Sequence, residues 1–83
     1  MRKVETNPTI VEGHTIKYVG ARVLLYDLDS QRCEVHFKLF DEDFMVFYLE
    51  TWNIPSHFLE NWGTNDIVIF EAIADYKGFT LKQ

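Results

Sequence analysis

From Cys33 to Leu39 apolar and polar side chains alternate: Cys33, Val35, Phe37 and Leu39 form one set, and Glu34, His36 and Lys38 form the other. A period of two sends successive side chains to opposite faces of a strand, so the first set faces a core and the second faces water. Upstream, Thr15-Ile16-Lys17-Tyr18-Val19 and Ala21 to Leu28 are β-rich and flank Gly20. A lone Gly within a strand pattern predicts a bulge or sharp bend, so His14 to Asp29 reads as one long bent strand. Asp29-Ser30-Gln31-Arg32 and Asp41-Glu42-Asp43 supply polar turns.

Phe44 to Leu49 is apolar at every position. Six residues is strand length, and the lack of alternation predicts a strand covered on both faces. The acids at 41–43 and Glu50 flank it, as charges flank aggregation-prone strands. Pro55 to Trp62 is the helix candidate. Pro suits a first helical turn, Gly63 stands where a left-handed C-terminal residue belongs, and Ile54, Phe58 and Trp62 fall on one stripe. Ile67 to Ala74 carries apolar residues on both faces and predicts another strand. Asp75-Tyr76-Lys77-Gly78 fits a type I turn, after which Phe79 to Lys82 returns as a closing strand. At the other end, residues 1–8 read as a flexible polar arm, and Thr9-Ile10-Val11 as a short edge strand before Gly13.

The expected architecture is mostly β, a β-barrel or roll, with one short helix at about 55–62 between the third and fourth main strands. Residues 9–83 make one small β domain. An OB-like barrel and an SH3-like barrel share this element order. An α+β roll with the helix on one sheet face is the third arrangement.

Composition supports a core without covalent staples. Hydrophobic residues are 47% of the 83, and aromatics are 16%. Cys33 is the single cysteine, so no intrachain disulfide forms. The two basic residues near the start have no apolar run behind them, and no stretch approaches the ~18 apolar residues of a membrane span; the expected compartment is cytoplasmic. The formal charge of −5 speaks against nucleic-acid phosphate or an anionic membrane as partner.

Neither a metal site nor a catalytic motif emerges, and no cofactor is expected. Cys33 and His36 are three apart on a strand and face opposite sides, and His14, His36 and His57 show no zinc-type spacing. Asp41-Glu42-Asp43 lacks the Gly and the distal Glu of a calcium loop. Glu50 and His57 are the one conceivable acid–base pair, with nothing in their spacing to require it.

Two strands apolar on both faces, 44–49 and 67–74, exceed what one short helix covers. Such surface predicts self-association, most simply a homodimer. The leading expectation is therefore a non-enzymatic protein–protein interaction module that self-associates through an aromatic-rich surface rimmed by acids and meets a partner with a basic surface. The expected contact residues are Tyr48, Glu50, Trp52, His57 and Trp62, because Trp and Tyr dominate binding hot spots and this corner concentrates them. One alternative is an OB-like module binding single-stranded nucleic acid on Tyr26, Phe37, Phe40, Phe44, Phe47, Tyr48, Trp52 and Tyr76; its opponent is the acidic charge balance. The other is a small-ligand-binding barrel with its mouth near Glu50 and His57.

Overall fold

The computed structural model describes residues 2–27, 29–30, 32–60 and 66–82. Strands β1 (Arg2–Val11), β2 (His14–Asp27), β3 (Arg32–Phe40) and β4 (Val46–Ile54) are followed by helices α1 (Ser56–Leu59) and α2 (Ile67–Lys77). The strands form one antiparallel sheet in the order β1-β2-β3-β4. The fold is mostly β, as expected. β1 and β4 are not neighbours in the sheet, so it stays open, and the realised arrangement is the roll with helix packed on one face.

β3 organises that face. Cys33, Val35, Phe37 and Leu39 are fully buried, as their alternation requires. Residues directly opposite in a ladder share a face. Val19, Ala21 and Val23 of β2 stand opposite Leu39, Phe37 and Val35. On the other side, Tyr48, Glu50, Trp52 and Ile54 of β4 stand opposite Leu39, Phe37, Val35 and Cys33. Against this inner face α2 buries Ile69, Phe70, Ala72, Ile73 and Ala74. Each large apolar side chain buried there contributes about 1.5–3 kcal/mol relative to exposure.

The segment 67–74 is therefore a helix, not the strand its β-branched start suggested. Two features outweigh the β preference of Ile67-Val68-Ile69. Glu71 and Asp75 are four apart and both exposed, while Ile69, Phe70 and Ile73 fall on the buried side, which is a helical period. Gly78 then takes the left-handed conformation, with φ 82°, and the amides of Gly78 and Phe79 both donate to the Ala74 carbonyl. The residues read as a type I turn are this helix's last turn and its cap. The short helix falls within the expected 55–62 window as α1, but it leads into α2 rather than into a fourth main strand. Trp62 and Gly63 lie outside the described residues.

Of the expected arm, residues 1–8, the described residues 2–8 belong to β1. Its side chains are polar, yet the backbone ladder with β2 holds it, Val4 standing opposite Val19. The register shifts between Glu5 and Thr9, the stretch that contains Pro8, which has no amide to donate. There the chain turns to the C-terminal segment: the Asn7 amide donates to the Thr80 carbonyl at 2.9 Å, the Lys82 amide to the Glu5 carbonyl at 3.0 Å, and Thr6 bridges Leu81. The closing strand thus pairs with β1 rather than with residues 67–74. Glu12 and Gly13, with φ 50° and 79°, form the two-residue turn between β1 and β2. β2 keeps regular register at Gly20, between Lys3 and Lys38; its irregularity lies between Val23 and Leu25.

Candidate functional site

β4 is an edge strand, and its period of two puts Tyr48, Glu50 and Trp52 on the inner face. The last turn of α2 brings Tyr76 and Lys77 to the same place. One carboxylate oxygen of Glu50 accepts from the Tyr48 hydroxyl, and the other accepts from the Tyr76 hydroxyl at 2.8 Å. The Tyr76 ring lies on the Trp52 indole with centroids 4.2 Å apart and planes 7° apart. Phe37 stands edge-on beneath both rings, at 6.3 Å from Trp52 and 6.4 Å from Tyr76. Lys77 pairs with Glu12 across the β1–β2 turn and sets its ammonium 4.2 Å from the centre of the Tyr48 ring.

A half-buried carboxylate facing Phe37 is costly unless its oxygens are satisfied, and the two phenols satisfy both. The same bonds make the phenols hard to ionise: the Glu50 carboxylate pushes Tyr48 and Tyr76 above the ordinary tyrosine value, with burial adding to the shift. At Lys77 burial opposes the charge, but the Glu12 carboxylate and the Tyr48 hydroxyl outweigh it and hold the ammonium above its usual range. The result is a fixed chain of contacts, Glu12–Lys77–Tyr48–Glu50–Tyr76–Trp52. Tyr76 is 45% exposed, so the stack has an open side.

Three of the five expected contact residues, Tyr48, Glu50 and Trp52, come together here. His57 does not join them. It is exposed on α1 with its ring 4.3 Å from that of Phe58, and both oxygens of Glu50 are engaged by tyrosines, so the conceived acid–base pair is not formed. Trp62 lies outside the described residues. The sequence marks Lys77 only as a turn residue, and Tyr76 only as that and as a stacking aromatic of the nucleic-acid alternative, because Asp75-Tyr76-Lys77-Gly78 reads as a turn; the Glu71–Asp75 spacing is the signal that places both on a helix.

The remaining acids are not gathered. Asp27 and Asp29 lie at the β2–β3 turn, and Asp41, Glu42 and Asp43 lie at the opposite end of the sheet. Asp41 is committed to its own turn, accepting from the amides of Asp43 and Met45 at 2.9 and 3.0 Å. Beside this turn a cleft of 340 Å³ is lined by Pro8, His14, Thr15, Lys17 and the three acids. Among the described residues no group of three His, Cys, Asp or Glu side chains is placed to hold a metal ion. Cys33 is fully buried, and burial pushes its thiol up, away from the reactive thiolate. Phe44, Met45, Val46 and Leu49 are exposed, so the stretch expected to be covered on both faces is covered on one. Comparison with protein-family models, with curated proteins and with solved structures finds no match to this chain.

Proposed function

We propose that this chain is a non-enzymatic protein-interaction module that self-associates and offers the Trp52–Tyr76–Glu50 surface to a protein partner bearing basic side chains. The observation that carries the reading is the Trp52–Tyr76 stack, locked by the Tyr76–Glu50 hydrogen bond while Tyr76 stays half exposed. An aromatic anchor already held in place loses little conformational freedom on binding, which is what lets a few residues dominate an interface. A guanidinium or ammonium laid on the exposed part of the Tyr76 ring, which the Lys77 ammonium already approaches to 5.2 Å, gains a cation–π contact beside a carboxylate. Against catalysis, the acid at the centre of the cluster has both oxygens occupied by tyrosine hydroxyls.

The test is a nuclear magnetic resonance titration of the labelled chain with a short arginine-rich peptide, alongside an acidic peptide of equal length. Saturable amide shifts at residues 48–52 and 76–77 with the basic peptide alone, lost in Tyr76→Ala, support the reading. Shifts scattered over the acidic turns, or undiminished in Tyr76→Ala, overturn it.

A further inference from the structure

β1 ends at Arg2, opposite Ala21, and β2 runs on past it to Asp27. Along Arg22 to Leu25 no described strand lies on the β1 side, so among the described residues the outward backbone groups of this stretch form an open sheet edge. Edges of this kind are usually blunted by a Pro, an inward charge or a covering segment. Here the edge instead carries Val23, Leu24 and Leu25, each exposed by 38–44%.

We propose that this edge pairs with the same edge of a second copy of the chain, antiparallel about a two-fold axis between Leu24 and Leu25. The inference rests on the self-association part of the reading above and names its surface; the Trp52 surface plays no part in it.

Three features of Arg22-Val-Leu-Leu-Tyr-Asp27 carry the argument. The first is charge. Antiparallel self-pairing about the centre of this hexapeptide sets Arg22 opposite the partner's Asp27, twice by symmetry. Within one chain the two are separated by five residues of strand, roughly 15 Å, too far to pair with each other. Arg22 makes no ion pair among the described residues. Asp27 uses one oxygen for the Asp29 and Ser30 amides, and the other has no hydrogen-bond partner among the described residues.

The second feature is register. In a regular strand Val23 and Tyr26 face opposite sides and cannot stand across from each other about a two-fold axis. The bulge at Leu24 changes that. Val23 lies opposite Val35 and Tyr26 opposite Cys33, both on the inner face, while Arg22, Leu25 and Asp27 lie opposite His36, Glu34 and Arg32 on the outer face. With one extra residue in each strand, Arg22 meets Asp27 and Val23 meets Tyr26, each pair on a common face, and Leu24 meets Leu25 at the axis.

The third feature is what the other edges lack. The outer side of β1 is engaged at Glu5–Asn7 by the C-terminal segment. β4 carries a single charge, Glu50, so no two-fold register of β4 brings opposite charges together. The β2 edge is the one that is open, apolar at its centre and self-complementary at its ends. An isologous contact of this type closes on itself as a dimer instead of propagating into a filament.

The test measures the mass of the full chain in solution by light scattering across micromolar to millimolar concentration, with circular dichroism to verify folding. The wild type is expected to form a dimer. Arg22→Asp places two like-charge contacts in the interface and is expected to weaken the dimer at least about ten-fold. Asp27→Arg does the same, and the double exchange R22D/D27R restores association. Because Asp27 also holds its own turn, Arg22→Asp, which leaves that turn intact, is the decisive single variant. Leu49→Lys, on the β4 edge, leaves the dimer unchanged. A wild type that remains monomeric overturns both this inference and the self-association it rests on. A dimer indifferent to Arg22→Asp but broken by Leu49→Lys overturns this interface alone, moving it to β4.

Discussion

Trp52 and Tyr76 stack face to face at 4.2 Å, one from an edge strand and the other from the last turn of the helix that covers the sheet. The contact ties α2 to β4 at the point where the sheet ends. Stacked aromatic pairs contribute about 0.5–1.5 kcal/mol beyond the area they bury. Trp52→Ala removes both the pairing and a half-buried indole, and is expected to lower unfolding free energy by about 2 kcal/mol. Urea denaturation followed by circular dichroism measures it; a loss below a few tenths of a kcal/mol shows that the stack holds nothing together.

The phenols bonded to Glu50 make an alkaline prediction. Tyr48 and Tyr76 ionise above the ordinary value of 10.0 in the folded chain because the Glu50 carboxylate accepts their protons' hydrogen bonds. Above that ordinary value the unfolded chain gives up phenolic protons that the folded chain retains. The stabilisation is therefore complete below about pH 10 and is lost as pH rises through the folded values. Ultraviolet titration of phenolate absorbance in the wild type shows two late-ionising tyrosines; in Glu50→Gln, without the negative charge, they ionise earlier. Identical titrations in the two proteins contradict the hydrogen-bonding assignment.

Thr6 is fully buried, and its hydroxyl finds no hydrogen-bond partner among the described residues. A buried hydroxyl left unsatisfied costs about 1–3 kcal/mol, and valine has nearly the same shape without it. Thr6→Val is expected to stabilise the chain by about 1 kcal/mol, read as a higher denaturant midpoint with an unchanged slope. A destabilised variant reveals a partner for that oxygen.

Gly78 closes α2 in the left-handed conformation, and a Cβ placed there meets nothing within 4 Å. The cost of Gly78→Ala is therefore conformational, about 1 kcal/mol, rather than steric. Asn, which tolerates this conformation better, recovers part of the loss. Thermal melts of the three proteins should rank glycine above asparagine above alanine.

The strands bounded by strong patterns were legible in the sequence. The alternation of residues 33–39 predicts both the strand and its buried face, and Asp41-Glu42-Asp43 marks the turn after it. Two elements were not. β1 is polar because most of its order comes from main-chain pairing with β2 and with residues 80–82, and main-chain pairing leaves no mark in side-chain hydropathy. α2 was obscured because Ile67-Val68-Ile69-Phe70 is apolar throughout, and a short apolar run has no period to read; only the Glu71–Asp75 spacing and Gly78 distinguish helix from strand. The site was half legible for the same reason. Tyr48, Glu50 and Trp52 share a strand and follow from its period, whereas Tyr76 and Lys77 depend on the helix.

The pairing of residues 80–82 with Glu5–Asn7 joins stretches from nearly opposite ends of the sequence. During synthesis the first strand emerges long before the segment that completes its outer side. The hairpins β1–β2, β2–β3 and β3–β4 are local and form quickly, but the last backbone bonds close a loop spanning most of the chain, which is entropically costly and slow. Folding therefore finishes late, at the seam between β1 and the C-terminal segment. A nascent chain stalled before residue 80 holds a sheet with one side still unsealed and prone to recruit the wrong neighbour.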